Sequence, residues 1–549
     1  MTEPRAMDLQ DDYAAAERRL RALQRSPQAF DHPVGAVEWI ETHISWLLLV
    51  GDYVYKFKKP LRLDFLDFST PALRRAACAE ELRINRRTAP GLYLGLVALT
   101  GGAPDGLRLR PLEDAPPDAE PAVRMRRFDQ AALLSHLLER EQLTPAHIDA
   151  LAWQVARFHG AAAVALPGQG WGTAQAVRAP VDDCLAALRA VAADAPDLAP
   201  LLGDVARWCA AQGARLAPVF EERLRSGRVR EGHGDLHLAN LVLIDDAPQL
   251  FDAIEFNPAL RWIDGVADVA FLAMDLEARG RADLAWRFLN AWLERTGDYA
   301  GLQVLDYYRV YRALVRARVA GLRLAQTEGQ ARAACLREQR RYLELALRFI
   351  RPRPLALWLA HGFSGSGKST QSLALVCQRG MVRVRADVER KRLFGLAPED
   401  ASGAVPGGIY TQDASLRTHE RLARAARSAL DAGHAVLVDA TFLNPALRAR
   451  FIALAQALRV PIRILCFEAP LDVLRERVRA RQQAGGDASE ADVRVLESQW
   501  AAARPLSAEE EAWAMHVDTT RPVDWDALLP PEPATAPPGL APGAAAPSS

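Results

Sequence analysis

The chain has 549 residues and no formal net charge, with 68 Lys plus Arg against 68 Asp plus Glu, and half of it is hydrophobic. That length predicts more than one domain with sizeable cores. The balanced charge does not advertise a broad nucleic-acid-binding face and leaves room for a local basic cleft.

The six cysteines, at positions 78, 184, 209, 335, 377 and 466, include no CxxC pair. That pattern speaks against a disulfide framework or a zinc ribbon and fits reduced thiols in a cytoplasm. The opening MTEPRAMDLQDDYAAAERRL has no apolar core, so no signal peptide is expected. No run reaches the roughly eighteen apolar residues of a membrane span.

In chain order, residues 1–34 read as an extension carrying an amphipathic helix over 10–24. SWLLLVGDYVYKFKKP (45–60) then predicts two strands around the turn Gly51-Asp52, with Tyr53, Tyr55 and Phe57 on one face and Val54, Lys56 and Lys58 on the other. Residues 71–88 read as a helix carrying Glu80 and Glu81, and EDAPPDAEPA (113–122) as a Pro-rich loop. From Thr144, with Pro145 in the first turn, Ile148, Leu151, Ala152, Val155 and Phe158 keep helical spacing. More helices are expected over 181–225 and 265–350. The latter pattern stops at RPRP (351–354), which marks a domain boundary between 35–350 and 353–526.

Beyond it, strand candidates at LALWLAHG, 381–387, 434–441, 461–468 and 514–520 alternate with helical patterns and predict a parallel α/β sheet. The Pro/Ala-rich tail 527–549 is expected to be disordered.

Two stretches carry chemistry. HGDLHLAN (233–240) sets Asp235 two residues after His233 and Asn240 five residues after Asp235. That spacing suits a phosphotransfer loop: the aspartate takes a hydroxyl proton, the asparagine holds Mg²⁺, and Asp252 follows after a hairpin expected around Ala247-Pro248. Zinc held by His233 and His237 is a weaker reading, because their spacing suits a helix and the surrounding run is β-prone; a turn satisfied by its own polar groups is the other alternative.

The second stretch, GFSGSGKS (362–369), satisfies GxxxxGK[ST] between a strand and a helix. Gly362, Gly365 and Gly367 let backbone N–H groups converge on phosphates. Lys368 adds charge, and the Ser369 hydroxyl, followed by Thr370, can reach Mg²⁺. Asp387, with Arg390 a turn later, is placed to accept a hydroxyl proton, although an N-cap aspartate beside a solvated arginine explains it as well. Asp439 ends an apolar strand, where a Mg²⁺ carboxylate is expected. LRERVRARQQ (474–483) offers Arg475 with Arg479 and Arg477 with Arg481 on adjacent faces, either as a lid or as a solvated basic face.

The rear segment resembles the P-loop kinases close to polynucleotide 5′-kinase, gluconate kinase and zeta-type toxins, over about 170 residues. RADVER resembles their DxxR element, and DATFLNPALR, with Thr441, Asn444 and Arg448, the loop after their third strand. The resemblance implies Asp387 as base, Arg475 and Arg479 as lid arginines, and the segment from Asp518 near adenine.

HGDLHLAN with a downstream aspartate resembles the aminoglycoside phosphotransferase-like branch of the protein-kinase-like fold, over most of 35–345. It implies Lys56, or else Lys58, as the nucleotide lysine, and Glu81, or else Glu80, as its partner. VRMRRFD (123–129) would link the two lobes, and Asp268 would be structural. The pattern departs from that group in two places: no GxGxxG precedes Lys56, and FDAIEF stands for DFG.

The pairing of both modules resembles a bacterial family described as bifunctional aminoglycoside phosphotransferase-like/ATP-binding proteins. It implies a two-domain chain, bilobal kinase-like in front and a P-loop NTPase with a parallel sheet behind. Each module would use ATP and Mg²⁺ to phosphorylate the hydroxyl of a small molecule. Two alternatives stay open: one module gates the other or a partner protein, or the rear module is a nucleic-acid 5′-hydroxyl kinase. The neutral charge ranks the last one low.

Overall fold

The computed structural model describes residues 6–63, 66–102, 106–192, 195–324, 327–484 and 487–529. The tail expected to be disordered lies almost wholly outside them.

The front begins with helix α1 (Ala6–Gln24), which buries Leu20 and Leu23 with Trp46, Leu48 and Tyr55 of a six-stranded antiparallel sheet. Its strands are β1 (Val37–Glu41), β2 (Ser45–Val50), β3 (Tyr53–Lys58), β4 (Tyr93–Thr100), β5 (Arg108–Pro111) and β6 (Glu120–Arg126), in the order β1-β2-β3-β6-β4-β5. Val50 pairs with Tyr53, so Gly51-Asp52 is a two-residue turn, and Gly51 takes the φ of +56° it requires.

Helix α2 (Pro71–Asn85) starts where expected: the Thr70 side chain accepts from the N–H of Leu73, and Pro71 occupies the first turn. The loop expected over 113–122 ends early. Glu120 opens β6 instead, because it forms a buried two-pronged pair with Arg74 of α2, each bond 2.6 Å. VRMRRFD is accordingly strand through Arg126 before it leaves the sheet.

The helical half contains α3 (Pro145–Ala161), α4 (Ala174–Ala192), α5 (Ala199–Arg225), α6 (Gly265–Ala278), α7 (Ala282–Thr296), α8 (Leu302–Leu324) and α9 (Gly329–Ile350). The hairpin β7 (Leu241–Ile244) and β8 (Ala247–Leu250) sits between the two halves, and its turn is Asp245-Asp246, both at positive φ (50° and 59°). The expected turn at Ala247-Pro248 is therefore corrected. Aspartates tolerate the left-handed region, and Pro248 is accepted in a two-stranded ribbon whose outer edge needs no donor.

The rear is a parallel sheet of β9 (Leu357–His361), β10 (Val382–Arg385), β11 (Val436–Asp439), β12 (Ile462–Glu468) and β13 (Ala514–Asp518), in the order β10-β11-β9-β12-β13. Around it lie α10 (Lys368–Arg379), α11 (Ala386–Leu393), α12 (Gln412–Asp431), α13 (Pro445–Leu458), α14 (Leu471–Ala484) and α15 (Val493–Ala502).

One apolar core runs through α3–α9 and into this sheet. At the junction, α7 covers the edge strand β10. The buried Asn290 amide donates to Met381 O (2.9 Å) and accepts from Arg383 N (2.6 Å), so two outward-facing groups of the rim are satisfied. Left buried and unpaired, each would cost about 1–3 kcal/mol. Glu294, one turn on, takes the Arg383 guanidinium at 2.7 Å.

Candidate active sites

In the front site β3 projects Lys56 and Lys58 onto one face, opposite Tyr55 and Phe57. Lys56 Nζ lies 2.8 Å from Glu81 Oε1 and 2.5 Å from Asp252 Oδ1. Lys58 Nζ shares the same carboxylate, 2.5 Å from Glu81 Oε2, and also bonds Glu255. Only Lys56 reaches Asp252. Glu80 turns away to Arg83 and Arg261.

Burial alone would weaken the Lys56 ammonium, but Asp252 and Glu81 overcome it and hold the group charged far above its ordinary value. Burial likewise pushes the Glu81 carboxyl up, and the two ammonium groups outweigh it and hold it well below the ordinary range.

The loop at 233–240 is fixed from several sides. Asp268 accepts from His233 N (2.8 Å) and Gly234 N (2.9 Å), and His233 Nε2 bonds Phe251 O at 2.9 Å. Gly234 has φ +84°, and a Cβ there would sit 2.6 Å from Leu260 O, so only glycine fits.

Asn240 Nδ2 donates to Asp235 Oδ2 (2.9 Å) and to Asp235 O (3.0 Å). This orients the carboxylate and leaves the Asn240 Oδ1 to other partners. His237 Nε2 stands 3.4 Å from Asp235 Oδ2. Burial would raise the Asp235 carboxyl; His237, His233 and Arg312 together pull it below the ordinary range. The two histidine rings thus face Phe251 O and Asp235 rather than a shared point.

Asp252 is brought beside this loop because Phe251 N donates to Asn240 O at 3.1 Å. It has φ +62°, a conformation that costs a non-glycine residue about 1–3 kcal/mol. Its N–H donates to Tyr93 Oη (3.1 Å) and the next N–H to Asn85 Oδ1 (2.8 Å), which holds the strained turn in place. Tyr93 and Asn85 carried no signal of this role, being about 160 residues away in the chain.

In the rear site β9 feeds the loop 362–367 and α10. Gly362 (φ +147°) and Gly365 (φ +81°) take positive φ, and a Cβ would meet Phe467 O at 2.6 Å or Leu474 O at 2.7 Å. Lys368 folds back on its own loop, donating to Phe363 O (2.7 Å) and Gly362 O (2.9 Å). No carboxylate pairs with it among the described residues, and burial brings its ammonium down to about 8.

A cavity of about 580 Å³ opens over the loop, lined by Lys368, Ser369 and Thr370 together with Asp387, Asp439 and Thr519. Asp439 is buried, and its Oδ2 accepts no hydrogen bond; Arg385 Nε stands 3.8 Å from it. Arg390 also lines the cavity and donates to Ser415 Oγ at 3.2 Å.

The placement of the lid arginines is corrected. Arg475 pairs with Glu497 at 3.1 Å, Arg479 is exposed, and neither lines the cavity, whereas Arg477 and Arg481 do. The cause is helix phase: buried Leu474 and Val478 pack on Gly365, which turns positions 477 and 481 inward at about 100° per residue. Arg477 donates to Thr519 O (2.7 Å) and Thr519 Oγ1 (3.0 Å). Arg448 is spent elsewhere, buried against Glu510 at 2.7 Å, and Asn444 caps α13. Asp518 bonds Thr520 at 2.6 Å, and its neighbour Thr519 faces the cavity.

A family model described as an AAA domain matches residues 357–506. The uncharacterized protein Rv2004c of Mycobacterium tuberculosis (strain ATCC 25618 / H37Rv) is 32% identical over 467 residues, 83% of this chain and 89% of that protein. A choline/ethanolamine kinase family protein from Mesorhizobium loti is similar at 14% identity, covering 60% of this chain and 98% of its own, with a TM-score of 0.35. A gluconokinase from Sinorhizobium meliloti 1021 is similar at 20% identity, covering 31% of this chain and 86% of its own, with a TM-score of 0.23.

Proposed function

For a chain that belongs to the family of the mycobacterial protein Rv2004c, we propose that the front and rear modules each transfer the γ-phosphate of ATP to the hydroxyl of a small molecule. The observation that carries this reading is the front constellation: Asp235 is oriented by Asn240 while Lys56 is held between Glu81 and Asp252. Lys56 would grip the nucleotide phosphates, and Asp235, kept ionised, would accept the proton of the acceptor hydroxyl. Glu81 keeps Lys56 charged and aimed.

In the rear module the loop N–H groups and Lys368 would take the phosphates, Asp387 the acceptor proton, and Arg477 and Arg481 the charge that develops on transfer.

Both sites have donors suited to Mg²⁺, which when bound would screen the β- and γ-phosphate oxygens. In front these are the oxygens of Asn240 and Asp252. Behind they are the Ser369 hydroxyl and Asp439, whose buried Oδ2 lacks a hydrogen-bond partner.

The test is transfer from γ-labelled ATP by the full chain, over sugars, aminoglycosides, nucleosides and oligonucleotides. The wild type should label an acceptor, and Asp235→Ala and Lys368→Ala should each remove a different labelled product. No labelled acceptor in any class would defeat the reading.

A regulatory role for one module is the second reading. It is favoured by Glu294 of α7, which holds Arg383 and also stands 3.4 Å from Arg385, the neighbour of Asp439. Turnover lost with only one substitution, while both sites still bind nucleotide, would select it.

A further inference from the structure

Between the modules lies a second cavity, of about 400 Å³, that belongs to neither nucleotide site. The front supplies Arg157 and His159 from α3, then Arg228, Arg230 and Arg295; the rear supplies Arg392 from α11.

Two of these guanidinium groups are already compensated. Arg295 pairs with Glu399. Arg392 pairs with Glu389 at 3.2 Å and donates to the last carbonyls of α7, at 3.0 Å for Arg295 O. Asp298, also on the wall, is taken by Arg223 at 2.8 Å. The other three have no carboxylate partner among the described residues. Arg157 bonds only Gln154 (2.9 Å) and stacks on Trp153; Arg230 is held on backbone carbonyls, His159 O at 2.9 Å and Gly160 O at 3.0 Å; Arg228 makes no side-chain bond. Cations without a paired carboxylate around one concavity raise its potential and draw a small anion into it, although Asp298 attracts Arg228 at longer range.

A second observation points the same way. His159 lies on the cavity wall, is only 5% exposed, and its Nδ1 has no hydrogen-bond partner among the described residues. Gly265, also on that wall, leaves Nδ1 uncovered: a Cβ there would stand only 3.3 Å from it, a tight contact. A bound acid anion would give that nitrogen the hydrogen-bond partner it lacks.

We propose that this junction cavity is a third anion site, for a phosphorylated small molecule, and that both catalytic loops sense its occupant. Towards the front, His159 Nε2 is 3.3 Å from Asp268 Oδ2, and Asp268 holds the N–H groups of His233 and Gly234 just before Asp235. Towards the rear, Val388 and Arg392 line the cavity on the same short helix that carries Asp387.

The test uses the full chain with Lys368→Ala, which removes the P-loop as a competing site, and titrates inorganic phosphate, then citrate, by calorimetry. Phosphate should bind, and Arg157→Ala with Arg228→Ala, both exposed side chains, should weaken it at least about tenfold. No binding, or binding indifferent to the pair of substitutions, overturns the site. Citrate binding more tightly than phosphate overturns the ligand class. This arm does not depend on transfer by either module. In the otherwise wild-type chain, phosphate should shift ATP turnover at least about twofold, and the two arginine substitutions should abolish that response. Turnover indifferent to phosphate overturns the coupling.

Discussion

The two lysines proposed to hold nucleotide phosphates are opposites. Lys56 is clasped by two carboxylates and stays fully charged, whereas Lys368 has none and leans on the carbonyls of its own loop. The front site is thus charge-balanced before any nucleotide arrives, and a phosphate must displace or share Asp252. The rear lysine feels Asp439 and Asp387 only at a distance, with no carboxylate paired to it among the described residues, and a phosphate supplies that partner. One chemistry is approached from two electrostatic starting points.

The largest expected effect tests whether the front site is catalytic at all. Asp235→Ala should lower transfer by the front module by about 10²–10⁴-fold while leaving nucleotide binding intact, read as single-turnover transfer beside equilibrium binding. Next, Glu81→Gln strips Lys56 and Lys58 of their shared partner and moves the front site towards the rear one. Breaking a buried pair of this kind costs about 3–5 kcal/mol, measured by denaturant unfolding, and a loss below about 1 kcal/mol would contradict the clasp.

Lys368→Ala should cost the rear module about 10²–10³-fold in turnover, with the front module unchanged.

The smallest effect separates the lysines by pH. With Lys56→Met isolating the P-loop, nucleotide affinity should be flat below pH about 8 and fall by up to about tenfold per unit above it, because free Lys368 has lost its proton there and must regain it to bind phosphate. With Lys368→Ala isolating the front site, affinity should stay flat over the same range, since Lys56 keeps its proton. Parallel profiles would erase the contrast.

Much of this was readable in the linear chain where function and local geometry coincide. Asp235 and Asn240 share one loop, and Gly362 to Ser369 are one strand–loop–helix unit. The spacing rules for loops and P-loops therefore reached them. The pattern stopped short where a contact is set by packing. Arg475 and Arg477 are equivalent in composition, and only the burial of Leu474 and Val478 decides which faces the phosphate loop. Lys56 and Lys58 share a strand face, and only Asp252, about 200 residues on, distinguishes them. The hairpin turn was expected at Ala247-Pro248, but Asp245 and Asp246 take the positive φ that the tight turn needs, and a ribbon edge accepts Pro248. Asn290 and His159 act across about 90 residues or more, and nothing in their immediate sequence announces it, whereas Asp268 was reached only through the resemblance.

The Asn290 amide has a practical consequence. Severing the chain at 351–354 would strip β10 of the only side chain that occupies its outward N–H and C=O at Arg383 and Met381 among the described residues. The freed rim would then be an open template for another molecule's strand, inviting aggregation rather than yielding an independent enzyme half. Dissecting the two proposed activities calls for point substitutions in the intact polypeptide rather than for scissors.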